Sequence, residues 1–224
     1  MSSRRLPGKA LRPAFGKPLL EYLLERLRQS RKLGRIIVAT SRDPSDQVIA
    51  DYCAGRQIEC YRGPLKNVAL RFKEIVEGCG LDSFIRVCGD SPLMDWTLID
   101  AGIEQFEKGE FDFVTNRLRR TFPKGETLEI MSADTFKKGY ERMKTPEDFE
   151  HVTWHFYQSP ELYRIYNLEA PIGDYSNVNL CVDSAEDLDL FGRMIEKMTR
   201  PHWSYNWLEC VELQKSAMKD LVKR

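Results

Sequence analysis

Three residues of this chain, Lys9, Asp90 and Asp183, have the types and settings suited to chemistry on a phosphate chain. Lys9 closes the run Ser2-Ser3-Arg4-Arg5-Leu6-Pro7-Gly8-Lys9, which puts small residues, a glycine turn and three cations in one short loop. Backbone N–H groups and hydroxyls can surround phosphate oxygens while Arg and Lys neutralise their charge. The run is not a Walker A loop, because Ala10 follows Gly8-Lys9 and the upstream glycine is absent. On composition alone the plainer reading is a frayed basic terminus. Asp90 stands in Val87-Cys88-Gly89-Asp90-Ser91-Pro92-Leu93, just past an expected strand, where open α/β sheets place ligand groups. A turn aspartate explains it equally well. Asp183 precedes Ser184-Ala185-Glu186-Asp187, and either Asp183 with Glu186 or Ser184 with Asp187 would make a capping box. If Ser184 is the cap, Asp183 is free for a cation. Two carboxylates from separate strand ends could then hold one Mg²⁺ against a triphosphate.

Such residues need a frame. Leu19, Leu20, Leu23, Leu24 and Leu27 recur at helical spacing after Pro18, a favoured first helical residue, and Gly34 is the expected stop. Residues 35–40 read as a buried strand, 46–56 as a helix, 58–61 as a strand and 68–76 as a helix. A strand at 84–87, a loop at 88–95, a helix at 98–106 and a strand at 111–115 follow. This alternation predicts an α/β sandwich with a mainly parallel sheet. Over 117–171 it loosens into a strand at 126–131, helices at 133–143 and 146–157, and a strand at 162–168, as in a lobe laid over the sheet's edge. Strand is expected again at 177–182, then a helix from near Ser184, and a last helix over 203–224. We expect one domain over 1–224.

The 34 basic residues balance 34 acidic ones, so no global field steers the chain to nucleic acid or an anionic membrane. The six cysteines show no CxxC pair and no zinc-ligand spacing, and read as reduced structural thiols. No stretch approaches a membrane span, and no apolar signal segment opens the chain. A cytoplasmic protein is the expectation.

Taken in order, several segments resemble the cytidylyltransferases that activate acidic sugars and spore-coat sugars, the acylneuraminate and 3-deoxy-manno-octulosonate enzymes among them. The segments are 2–9, 8–18 (GKALRPAFGKP), Ala39-Thr40-Ser41 with Pro44-Ser45-Asp46, and Arg62-Gly63. They continue with Arg86 and Gly89-Asp90-Ser91-Pro92-Leu93, Thr121-Phe122-Pro123-Lys124-Gly125, Glu150-His151-Val152-Thr153, and Val182-Asp183 with Glu186-Asp187-Leu188. Each is weak alone; the ordered set is fairly specific. The resemblance implies a Rossmann-like three-layer sandwich of the nucleotide-diphospho-sugar transferase (GT-A-like) kind, and transfer of CMP from CTP to a sugar or sugar acid for surface polysaccharide or glycan biosynthesis. It implies that Ser3, Arg4 and Lys9 hold the CTP phosphates, that Asp90 and Asp183 coordinate Mg²⁺, and that Lys124, Glu129 and His151 face the acceptor. It also implies an in-line attack without a covalent enzyme intermediate, and a homodimer.

Three departures stand out. Family members open with an apolar strand ending in a segment like Q-A-R, directly before the residues matching Met1-Ser2-Ser3. That strand is missing here. The chain is therefore expected to be truncated, leaving backbone groups of both neighbouring strands unpaired. Phe149 stands where arginine is frequent, and Cys88 where threonine or glutamine is. Competing expectations are a sugar nucleotidyltransferase using another triphosphate, an inactive homologue that binds sugars or partners, and nucleic-acid binding through the Arg-rich start. The neutral net charge disfavours the last.

Overall fold

The computed structural model describes residues 5–222. Its first element is a 3-10 turn, Lys9–Leu11, entered through Gly8 at φ 71°, a left-handed conformation glycine adopts without steric cost. A tight hairpin, β1 (Pro13–Ala14) and β2 (Lys17–Pro18), leads into helix α1 (Leu19–Leu27), with Pro18 as the extended residue just before the helix. Helix α1 stops short of Gly34. Ser30 Oγ accepts the N–H groups of Lys32 (3.2 Å) and Leu33 (3.0 Å) and donates to Asp100, which ends the helical pattern.

The next units alternate as expected: β3 (Ile37–Ser41), α2 (Gln47–Gly55), β4 (Glu59–Gly63), α3 (Val68–Gly78), β5 (Ser83–Arg86), α4 (Trp96–Phe106) and β6 (Phe113–Thr115). Then come β7 (Glu129–Ser132), α5 (Ala133–Tyr140), α6 (Pro146–Glu150), α7 (Trp154–Gln158), β8 (Ile165–Asn167), α8 (Ala185–Glu196) and α9 (Trp207–Val222). Strands β3 and β4 form a parallel pair, with Ile37 opposite Glu59 and Ser41 opposite Gly63. The other main sheet has the order β5-β7-β6-β8; β7 runs antiparallel to both β5 and β6, and β8 lies parallel to β6. The architecture is α/β as expected, and the four-stranded sheet is mixed. Among the described residues β3 pairs only with β4, and β5 only with β7.

Helix α1 binds these parts together. Leu19, Leu23 and Leu27 enter the largest apolar cluster, while Leu20 and Leu24 pack with Ile49 and Cys53 of α2 in another. Arg26, fully buried, donates to the carbonyls of Met94 (2.9 Å), Tyr205 (2.7 Å) and His202. A buried guanidinium is tolerated when its donors are met. A third cluster, with Phe113, Met131, Phe136 and Phe156, lies under α3, α5 and α7.

Three further expected elements differ. Residues 177–182 form no named strand; they make one parallel bridge, Lys124 with Asn179. Pro123 has no N–H to extend a ladder, Gly125 turns away at φ 101°, and Cys181 N bonds to the Asn179 side chain at 3.1 Å. The helix expected over 146–157 is split into α6 and α7 at residues 151–153, where the Thr153 hydroxyl donates to Glu129 at 2.8 Å. The last helix begins at Trp207, because Asn206 and Glu209 exchange bonds of 2.9 Å, side chain to backbone in each direction, and fix its start there. Among the described residues no helix is long and apolar enough to cross a membrane.

Candidate active site

The residues from 87 to 95 leave β5 and descend toward α4. Within them Ser91 N bonds to Cys88 O at 3.2 Å, a turn that presents Asp90 beyond the strand's carboxyl end. The carbonyl of Asp90 accepts from Val182 N at 2.9 Å, so the backbone itself brings the remote Asp183 alongside. Ser184 caps α8: its hydroxyl accepts from Asp187 N at 3.2 Å, and the Asp187 carboxylate accepts the N–H groups of Ser184 (2.9 Å) and Asp183 (3.0 Å). Of the two capping arrangements open to the sequence, the fold uses Ser184 with Asp187. Asp183 thereby keeps its carboxylate for other partners.

Those partners are cations from the first turn. Lys9 Nζ lies 2.8 Å from Asp90 Oδ2 and 2.7 Å from Asp183 Oδ1, and Arg5 lies 3.0 Å from Asp183 Oδ2. Burial works against the Lys9 ammonium, but bonds and charge from Asp183 and Asp90 outweigh it and raise its pKa. Burial likewise works against the Asp183 carboxylate, and Lys9 with Arg5 overcomes it, holding the group below the usual range. Lys9 and Asp183 are therefore both charged at neutral pH. Among the described residues no cluster of three or more His, Cys, Asp and Glu side chains is placed to hold a metal. The site offers a pair of carboxylates.

A second polar cluster centres on Glu129, fully buried at the start of β7. Its carboxylate accepts from Arg86 (2.5 Å), Thr153 (2.8 Å) and Tyr157 (2.8 Å), with Arg117 at 3.8 Å. Burial opposes its charge, yet Arg86 wins and the pKa is lowered. Arg117 lies over the Tyr157 ring, 5.2 Å from its centroid. Arg120 donates to Thr127 Oγ1 at 3.2 Å, and burial followed by the charge of Arg117 lowers its pKa. Cys181 Sγ is 4.0 Å from Ser91 Oγ, and burial with the charge of Asp90 pushes this thiol up to about 12.

Lys9, Asp90 and Asp183 are thus brought together. Ser3 and Arg4 lie outside the described residues. Lys124 is exposed on the stretch bridged to Asn179. His151 is exposed at the end of α6, its ring 6.4 Å from that of Trp154. Glu129 is enclosed by its own partners. Phe149 packs its ring 5.9 Å from Tyr140, against an apolar cluster. Sequence reading placed Arg5 only among the three cations of residues 2–9 and gave no role to Arg117 or Arg120; for those two the Arg117-Leu118-Arg119-Arg120 run was the available signal.

A family model described as cytidylyltransferase matches residues 1–200. An uncharacterized protein of Methanocaldococcus jannaschii is 33% identical over 192 residues, covering 84% of this chain and 77% of that one. The spore coat polysaccharide biosynthesis protein SpsF of Bacillus subtilis is 31% identical over 206 residues, covering 88% and 83%. Among solved structures, a cytidylyltransferase from Leptospira borgpetersenii superposes with a TM-score of 0.90 at 24% identity, over 98% of this chain and 92% of that one; this likeness shows the fold.

Proposed function

The chain belongs to the cytidylyltransferase family, and from that premise we propose that it joins CMP from CTP to a hydroxyl of a sugar or sugar acid, releasing pyrophosphate, in the making of a surface polysaccharide or glycan. One observation carries the reading: Lys9 Nζ bonds at once to Asp90 and Asp183, residues 81 and 174 positions away.

Asp90 and Asp183 fit Mg²⁺, an ion commonly held by one or two carboxylates together with substrate phosphates rather than by an all-protein cage. These two would hold it, and the bound ion would neutralise charge on the departing pyrophosphate. Lys9 would take triphosphate oxygens, with Arg5 beside it and Ser3 and Arg4 just upstream. The acceptor hydroxyl attacks the α-phosphorus in line with the leaving oxygen, a step that depends on positioning and charge rather than on a covalent intermediate. On the acceptor side, Lys124 and His151 are exposed and can meet the sugar directly. Glu129 is a positioning residue, acting through the Arg86, Arg117 and Tyr157 side chains it holds.

A cytoplasmic setting is part of the proposal and is supported by the six free thiols. A homodimer is supported by the family resemblance and is tested by light scattering.

The decisive assay is pyrophosphate release with CTP, Mg²⁺ and a panel of neutral and acidic sugars, with UTP, GTP and ATP as competitors. CTP-dependent release is expected. Asp90→Asn and Asp183→Asn should each lower kcat by roughly two orders of magnitude or more, as loss of several kcal/mol of charge stabilisation implies. Release that prefers another triphosphate, or that survives both substitutions, refutes the proposal.

A further inference from the structure

Lys9 stands where the two carboxylates converge. Its Nζ is 2.8 Å from Asp90 Oδ2 and 2.7 Å from Asp183 Oδ1. A divalent ion shared by those same oxygens needs the same point in space, because Mg²⁺ takes oxygen ligands at about 2.0–2.1 Å. Ammonium and ion exclude one another. We infer that Lys9 is an internal counter-ion which competes with the divalent cation for Asp90 and Asp183, so that the cation binds weakly until a triphosphate draws the lysine away. The inference rests on the reading of these aspartates as the ion's ligands.

The local structure suits such an exchange. Two carboxylates facing one another without a cation repel, and the ammonium relieves that repulsion in the ligand-free chain. Lys9 is also built to leave. Its backbone is fixed in the 3-10 turn by the bond from Lys9 N to Leu6 O (3.2 Å), while its four-carbon stem and three rotatable donors can be re-aimed without moving that turn. Arg5 is anchored differently: among the described residues it pairs with Asp183, through the other oxygen, and its side chain is 70% exposed. It therefore leaves the point between the carboxylates clear. A triphosphate offers Lys9 oxygens of higher charge and simultaneously brings the ion its remaining ligands. Triphosphate and metal then favour each other's binding, and by linkage the coupling is reciprocal.

The test measures Mn²⁺ affinity by electron paramagnetic resonance, without nucleotide, acceptor or turnover. Wild type should bind Mn²⁺ weakly. Lys9→Gln, which keeps polarity and removes the charge, should bind it about tenfold tighter or more, within the range usual for coupled sites. Adding Asp183→Asn to that variant should abolish the gain, and Lys9→Arg should retain weak binding. A lysine serving only as a structural brace predicts unchanged or poorer affinity in Lys9→Gln, and that result overturns the inference. Should Lys9→Gln fail to fold with or without Mn²⁺, reductive methylation of wild type replaces it. Saturating Mn²⁺ must then raise labelling of Lys9, and unaltered labelling overturns the inference. The outcome is separate from the assay of function: a chain that transfers no CMP can still show, or fail to show, this exchange.

Discussion

At the scale of single residues, the site is a problem of paired and unpaired charge. Lys9, Asp90 and Asp183 neutralise one another partially and keep some exposure to solvent, as the proposed phosphate and metal site requires. Glu126 shows the opposite condition. It is wholly buried; Oε2 accepts Asp95 N at 2.7 Å, and Oε1 has no partner among the described residues. Burial, reinforced by the charge of Asp95, raises its pKa well above the ordinary value. The sign follows from proton linkage. The folded state holds this proton more tightly than the unfolded chain, so the group's stabilising effect is full below about pH 4.3 and is lost as pH rises through its folded pKa. Glu126→Gln should therefore raise the melting temperature relative to wild type at pH 8, by a margin that shrinks toward pH 5. A variant less stable than wild type at pH 8 would contradict this. Residue types singled out Lys9, Asp90 and Asp183, because a lysine in a glycine turn and aspartates past strand ends are local patterns, but each had a plainer local reading until the ordered resemblance joined them. The enclosure of Glu129 was not legible, since its partners Arg86, Thr153 and Tyr157 come from three other segments.

At the scale of elements, capping decides which carboxylate is available. Ser184 and Asp187 satisfy the first turn of α8, and Asp187 also takes Asp183 N, which orients the free aspartate toward Lys9. Ser184→Ala removes that cap, and the loss is on the order of 1 kcal/mol. Denaturant titration should show this destabilisation. Turnover should fall as well, because Asp187, which takes Asp183 N, loses its bond to the Ser184 hydroxyl, while an unaltered kcat would separate the cap from the site. Helices were readable where apolar spacing and caps agree, as in α3, where Asn67 Oδ1 accepts from Leu70 N at 2.7 Å. They were misjudged where a side chain interrupts a continuing pattern, as Ser30 does after α1 and Thr153 does between α6 and α7. The bridge at Asn179 in place of a strand depends on Pro123 and Gly125 of a distant loop, and no local signal in 177–182 carries that information.

At the scale of the whole molecule, alternating strands and helices announced an α/β fold, and the chain adopts it. The antiparallel course of β7 between β5 and β6 was hidden, because periodicity gives a strand's existence and not its direction. The fold's contribution to chemistry is to let three remote segments meet: the first turn, the loop after β5 and the entry to α8. Backbone bonds make that meeting durable, above all Val182 N to Asp90 O at 2.9 Å. The most direct test is a crystal of the protein with CTP and Mn²⁺, read by anomalous scattering. The account predicts one metal peak between Asp90 and Asp183, with Lys9 Nζ moved onto a phosphate oxygen. A peak elsewhere, or Lys9 still seated between the two aspartates beside bound nucleotide, would contradict it.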